Sequence, residues 1–237
     1  MVDGRLDAYR AAVEHIFGEE LVSVTLYGSH ALDPPEEEGD VAVLIVVRVL
    51  RRTALQAYRE AAPGFAKQGF PPPPIFTEEF LARSLDVFPL EFLAMKEHRK
   101  VLSGGDVLAD VRVDRANLRH QVEFELKGKL LSLRRMYLAT RGAQELAGLL
   151  RNTAGSIVSV ARGLLLLSGH DAPHGKAQIL SEIESRFGVA LPLLREIVTP
   201  GGGKTLSARA ETIAPDYLEE VERLCAAADG FAGGDRP

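Results

Sequence analysis

The sequence contains a single cysteine, Cys225, and no tryptophan. One thiol excludes a disulfide within the chain and a metal cluster built from several cysteines, and it fits a reducing compartment. Long apolar runs are also missing, since the longest, residues 41–47, is far shorter than the roughly 20 residues that span a bilayer. The first residues lack the apolar core of a signal peptide. We therefore expect a cytoplasmic protein with no membrane partner.

Positive charge is not in excess. The 237 residues include 28 Lys+Arg and 33 Asp+Glu, for a formal net charge of -5. A chain without a basic field is not expected to bind nucleic acid, and any phosphate site has to be local. The composition, 46% apolar and 26% charged, is sufficient for a packed core in one large domain or two small ones.

Residues 1–106 alternate between helix and strand signals and are predicted to form an α+β domain. The run at 21–27 reads as a strand, and the continuously apolar run at 41–47 reads as a central strand buried on both faces. Pro63 should kink or end a helix over 53–68. Further expectations are an edge strand at Ile75 and Phe76, a helix cap at Thr77, and short strands at 90–95 and 99–102.

Residues 107–237 carry almost only helical signals and are predicted to form an all-α bundle. Apolar residues at steps of three and four predict helices over 114–140, 143–167, 176–187, 191–198 and 215–228. Pro215 should occupy the first turn of the last helix. The helix at 143–167 is apolar around much of its circumference and should be deeply buried. The glycine-rich stretches at 201–203 and from about 230 to the C-terminus are expected to be mobile.

The segment Leu26-Tyr27-Gly28-Ser29 ends the first predicted strand, and Gly39-Asp40-Val41-Ala42 begins the second. In this pattern the sequence resembles the DNA-polymerase-β-like nucleotidyltransferase superfamily, in which a strand ends in Gly-Ser and an Asp-x-Asp pair opens the next strand. The segments 84–93 and 118–137 are similar to an uncharacterised bacterial branch with a helical C-terminal domain like that of kanamycin nucleotidyltransferase. The resemblance implies a nucleotidyltransferase-like mixed sheet with flanking helices, followed by a helical bundle.

The resemblance also implies a ligand and a reaction. Gly28 lets the backbone approach a nucleoside triphosphate such as ATP, and Ser29 offers a hydroxyl and an N–H to its phosphates. Asp40, together with Glu91 as the third carboxylate of the family, would hold magnesium and serve catalysis. The reaction implied is transfer of a nucleotidyl group to a hydroxyl on a small molecule or protein, in a cleft between the domains.

One departure from the family concerns the metal. Ala42 occupies the position of the second aspartate, and a methyl group supplies no ligand, so we expect one magnesium ion and not two. An alternative register uses Glu38 and Asp40 as the pair, which alternation would place on one face. The basic run Lys96, His98 and Arg99 could touch phosphates, but a turn between strands is polar in any case, and we leave it outside the site.

Two other functions stay open. Loss of a metal ligand favours a non-catalytic nucleotide-binding module, because residual turnover would be slow. Alternatively the helical domain mediates protein contacts, with homo-oligomerisation through that domain.

Overall fold

The computed structural model describes residues 2–32, 40–170, 172–173 and 175–230. It consists of two compact units, Met1–Asp114 and Arg115–Pro237. The segment 107–113 belongs to the first unit because Leu108 and Val111 are buried in its core, against Leu44 and Phe92. Among the described residues, no helix combines the length and the apolar character needed to cross a bilayer.

A four-stranded mixed sheet organises the first unit, as the α+β prediction requires. The central strands β1 (Leu21–Tyr27) and β2 (Ala42–Val47) are antiparallel, β4 (Arg99–Gly104) pairs antiparallel with β1, and the edge strand β3 (Ile75–Thr77) pairs parallel with β2. Strand β2 is buried on both faces, which confirms the prediction from its unbroken apolar run.

Two helices, α1 (Val2–Phe17) and α2 (Arg52–Lys67), cover one face of this sheet. Tyr9 lies at the centre of their contact: its ring stacks on Phe70 at 4.3 Å, and its hydroxyl shares a 2.9 Å hydrogen bond with the Tyr58 hydroxyl. The sequence predicts that Pro63 kinks or ends this helix, but α2 continues past it. The helix continues because Phe65, beyond the proline, is buried with its ring 4.9 Å from that of Tyr9.

The other face of the sheet packs against α3 (Glu78–Arg83), α4 (Pro89–Glu97) and the segment 107–113. The Thr77 hydroxyl accepts the Phe80 N–H at 3.0 Å, so the predicted cap is confirmed. The predicted strand at 90–95 is wrong, because these residues form α4. A proline in the first turn starts this helix, and its buried residues Pro89, Phe92 and Met95 recur every three residues on one helical face.

The described residues of the second unit form a bundle of five helices. Helix α6 (Ala143–Leu167) contacts each of the other four, and twelve of its residues are buried, so its apolar circumference is buried within the bundle. Pro215 lies inside the last helix and not in its first turn, so that prediction is wrong; buried Ala210, Ile213, Ala214 and Tyr217 hold the helix on both sides of it. The helices are α5 (Arg115–Ala139), α6 (Ala143–Leu167), α7 (Lys176–Phe187), α8 (Pro192–Val198) and α9 (Leu206–Gly230).

The glycine-rich stretch at 201–203 is packed against neighbouring residues. Residues Gly202–Thr205 form a 3₁₀ turn packed against the end of α8, where a Cβ on Gly202 would lie 1.8 Å from the Glu196 carbonyl oxygen. The predicted mobile tail from about 230 lies almost entirely outside the described residues.

Candidate functional site

The candidate site lies at one edge of the sheet, where β1 ends and β2 begins. Tyr27 and Ala42 are the last paired residues of the two strands. Ser29 follows Tyr27 by two residues and Asp40 precedes Ala42 by two, so antiparallel pairing places both at the same edge. Glu38, the alternative partner of Asp40, lies outside the described residues.

Gly28 turns the chain at this edge. Its φ of +77° is in the left-handed region, which glycine enters without steric cost. Its N–H donates to the His98 carbonyl at 3.0 Å, and the residues Gly28–Ala31 form a 3₁₀ turn. The half-buried Ser29 is therefore presented in the first turn of a short helix immediately after a strand.

Asp40 is exposed, and its backbone is anchored by the neighbouring residue. The Val41 N–H donates to the Gly69 carbonyl at 2.8 Å, directly before β2 begins. Within the described part of the chain, no basic side chain forms an ion pair with the Asp40 carboxylate. The carboxylate is therefore accessible to a cation from solvent.

Ala42, Tyr27 and Arg99 form one row across the sheet. Tyr27 pairs with Ala42 on one side and with Arg99 on the other, and directly paired residues point to the same face. This is the face on which Leu44 is buried. Burial raises the pKa of the Tyr27 hydroxyl, because the charged phenolate would be poorly solvated there.

Arg99 is immobilised beside this edge. Its Nε and Nη2 donate to the Asp106 carboxylate at 2.9 and 2.8 Å, and its Nη1 donates to the Lys96 carbonyl. The Arg99 guanidinium lowers the pKa of Asp106 by stabilising the ionised carboxylate. Lys96 in turn donates to the Val111 carbonyl at 2.6 Å. These contacts give Lys96 and Arg99 structural partners within the first unit.

Glu91 lies in the first turn of α4 and not on a strand. Strand β4 is the later neighbour of β1, and its residues Arg99–Gly104 include no carboxylate. Helix α4 contacts both β1 and the Gly28–Ala31 turn, but its buried face carries Phe92 and Met95, while Glu91 is exposed. The strand alternation that would have aligned Glu91 with Asp40 is therefore absent.

The residues at this edge limit the metal that could bind. Among the described residues, no group of three or more His, Cys, Asp or Glu side chains is placed to hold a metal ion. Asp40 offers the hard oxygen ligand that Mg²⁺ prefers, and Mg²⁺ commonly completes its shell with phosphate oxygens and water. These residues fit one ion brought in with a polyphosphate, and they do not fit a pair of ions bridged by two aspartates.

Sequence reasoning did not find the Ala42–Tyr27–Arg99 row. The pattern at 99–102 predicts a strand, and the basic run of Lys96, His98 and Arg99 indicates only a polar turn at its start. The pairing partner of a strand is decided by contacts between distant parts of the chain, and no local pattern at 99–104 identifies β1 as that partner. Alternation along β4 predicts only that Arg99 and Val101 lie on the same face of the sheet.

Comparison with known proteins identifies the fold. A spectinomycin adenyltransferase from Enterococcus faecialis, solved with ATP and spectinomycin, matches with a TM-score of 0.59 and 10% sequence identity, over 95% of this chain and 98% of that chain. The likeness supports the nucleotidyltransferase fold expected from the Gly-Ser and Asp40 pattern. No protein-family model matches the sequence. No curated protein matches it either.

Proposed function

We propose that this protein binds a nucleoside triphosphate with one magnesium ion at the sheet edge where Gly28, Ser29 and Asp40 lie. The observation that carries the proposal is the terminal pair Tyr27–Ala42, which brings the Gly-Ser turn and Asp40 from separate strands to one edge. The spectinomycin adenyltransferase of the same fold was solved with ATP, which supports a nucleotide as the ligand. We also propose that the protein is related to the uncharacterised bacterial branch of the superfamily.

Each residue has a defined role in this proposal. Gly28 and the Ser29 hydroxyl receive the phosphates, and Asp40 holds the magnesium ion that the triphosphate brings. Bound magnesium would neutralise charge on the phosphates and orient them. Glu91, in the first turn of the helix that contacts the Gly28–Ala31 turn, is the second carboxylate proposed to contribute. The reaction would be nucleotidyl transfer to a hydroxyl of a small molecule or protein.

Calorimetry with ATP and MgCl₂ tests the binding site. Asp40→Asn removes the charge of the metal ligand while keeping its size, and should weaken magnesium-dependent ATP binding by about tenfold or more. Asp7→Asn is the matched control, because Asp7 is an exposed carboxylate on α1 that contacts Arg10. In the same measurement, Ser29→Ala tests whether the Ser29 hydroxyl binds the phosphates, and Glu91→Gln tests whether the Glu91 carboxylate contributes to the site. The absence of binding heat in the parent protein would eliminate a nucleotide function altogether.

A non-catalytic nucleotide-binding module is the second candidate function. It is favoured by the Ala42–Tyr27–Arg99 row, which places a methyl group and a fixed guanidinium on the face where a two-metal site needs carboxylates. Release of pyrophosphate from ATP with candidate hydroxyl acceptors distinguishes the two functions. Spectinomycin belongs in the acceptor set because the structure of the similar adenyltransferase contains it. ATP binding without pyrophosphate release for any acceptor supports the module.

A protein-contact role for the helical domain is favoured by an exposed apolar stripe on α5. Phe124, Leu131 and Leu138 are 71%, 60% and 82% exposed and recur every seven residues. This is the spacing of a helix–helix seam, and it is symmetric about Leu131. We propose a second copy of the chain as the occupant, since antiparallel pairing places Phe124 against Leu138 and Leu131 against itself.

Light scattering measures this self-association. The parent should have the mass of a dimer, and Leu131→Gln should reduce it to that of a monomer. Leu55→Gln, at an exposed apolar residue of α2, is the control that should leave the mass unchanged. A monomeric parent would refute the second-copy assignment.

A further inference from the structure

A cavity of about 560 Å³ lies between α2 and the proline-rich segment that leads into β3. This volume falls within the roughly 300–1,000 Å³ typical of small-molecule sites. Its residues are separate from Gly28, Ser29, Asp40 and Glu91. It is therefore a concave surface of the first unit whose lining residues are distinct from those of the candidate nucleotide edge.

The floor of this cavity is apolar and rigid. Tyr58 contributes its ring, while its hydroxyl is engaged by the Tyr9 hydroxyl at 2.9 Å inside the core. Pro72, Pro73 and Ile75 form the opposite wall, and Ile75 is held by the parallel pairing of β3 with β2. Proline and tyrosine side chains have little conformational freedom to lose on binding, so these walls favour an apolar ligand.

Two arginines of α2 line the same cavity. Arg52 and Arg59 are seven residues apart, which places them on one face of the helix about 10 Å apart along its axis. Both are exposed, and among the described residues no carboxylate pairs with either guanidinium. Arg51, one residue earlier, differs because it is paired with Glu20. The cavity therefore combines an apolar floor with two arginines that have no carboxylate partner among the described residues.

We propose that this cavity binds a small amphipathic carboxylate, with its apolar body on Tyr58, Pro72 and Pro73 and its carboxylate on Arg52 or Arg59. Guanidinium groups bind carboxylates through paired, charge-assisted hydrogen bonds. Burial of the apolar body supplies affinity, and the arginines select the charge of the head group. The proposal does not rest on the nucleotide function.

Three probes with one chain length separate these contributions: octanoate, octan-1-ol and octylamine, titrated by calorimetry into the full chain. Octanoate should bind about tenfold more tightly than octanol, since a charged hydrogen bond adds at least this factor, and octylamine should bind most weakly. Equal binding of octanoate and octylamine, or no binding of octanoate at millimolar concentration, overturns the proposal.

Gln56→Glu is the decisive variant. Gln56 also lines the cavity and lies on the α2 face between the two arginines, so a glutamate there supplies an internal counter-ion. It should weaken octanoate about tenfold and leave octanol unchanged, as should the double variant Arg52→Gln, Arg59→Gln. Arg83→Gln, at an exposed arginine of α3, is the matched control and should bind octanoate as the parent does. Unchanged octanoate binding in Gln56→Glu overturns the proposal.

A competition experiment keeps this site separate from the nucleotide site. Saturating ATP with MgCl₂ should leave octanoate affinity unchanged, whether or not the protein binds ATP. Displacement of octanoate by ATP would place it in the nucleotide site and refute a second site.

Discussion

The Asp106 carboxylate holds the Arg99 guanidinium with both of its oxygens, at N···O distances of 2.8 to 3.1 Å. Asp106 also accepts the Leu108 N–H at 3.2 Å, which ties the loop after β4 to the start of that strand. Because Arg99 pairs with Tyr27 across the sheet, this ion pair fixes a cation in the row that ends at Ala42. It neutralises that cation as well.

The first prediction concerns the stability of this pair. Asp106→Asn should lower the free energy of unfolding by about 1 kcal/mol at neutral pH, a value kept small because the pair is partly exposed. Arg99 lowers the pKa of Asp106, so the carboxylate stabilises the fold above its unfolded pKa of about 3.9, and the contribution disappears as pH falls through the folded pKa. Urea unfolding measures the difference at neutral pH and in acid.

The control for this experiment is Asp7→Asn, at an exposed carboxylate whose contact with Arg10 is 3.5 Å long. Suppose that the free energies of unfolding of the parent and of Asp106→Asn differ by the same amount in strong acid as at neutral pH. That result would show that the ionised carboxylate is not the source of the stability.

The second prediction restores the missing metal ligand. Ala42→Asp places a carboxylate two residues from Asp40, on the same strand face, and should raise magnesium-dependent ATP affinity or pyrophosphate release by at least about tenfold. Ala42→Asn is the matched control, because it has the same shape without the charge. Identical magnesium dependence in the two variants would remove this edge as the metal site.

The third prediction concerns Gly104, whose φ is +76°. A Cβ there would lie 1.9 Å from the Val22 carbonyl oxygen, a backbone atom that cannot move aside easily. Gly104→Ala should therefore lower the free energy of unfolding by roughly 2 kcal/mol or more. Gly105→Ala, where a Cβ meets nothing within 4 Å, should change it little, as urea unfolding can measure. Equal stability of the two variants would contradict the close approach of β4 to β1.

The fourth prediction uses the buried Glu220, which is only 1% exposed. Burial raises the pKa of its carboxyl, although the N–H groups of Leu193 and Leu194 donate to it at 2.8 and 2.9 Å. The folded state therefore binds this proton more tightly than the unfolded state. The free energy of unfolding should fall as pH rises from about 4.3, the ordinary glutamate value, through the folded pKa.

Glu220→Gln should remove this dependence, since its amide does not titrate. Urea unfolding at several pH values above about 4.3 compares its slope with that of the parent. Glu219→Gln, at an exposed neighbour on the same helix, should keep the parent's slope. A parent and Glu220→Gln with the same slope would show that Glu220 is not the responsible group.

Much of the fold could be predicted from local patterns. The buried strand β2 follows from an unbroken apolar run, and α6 and α7 follow from apolar residues at helical spacing. The short apolar run at 90–95 does not by itself distinguish strand from helix, and Pro89 in the first turn favours the helix. Pro215 lies inside α9 and not in its first turn, because the packing of Tyr217 and Ile213 outweighs the hydrogen bond that proline removes.

The sequence by itself determined which residues could carry chemistry: Gly28 and Ser29 after one strand, Asp40 before the next, and Ala42 where a second carboxylate would stand. Only the tertiary structure decided that Arg99 joins Ala42 and Tyr27 in one row, and that Glu91 lies on a helix. The reason is physical. Strand and helix patterns are set by neighbours along the chain, whereas sheet pairing depends on burial and hydrogen bonding between distant segments, which no local pattern encodes.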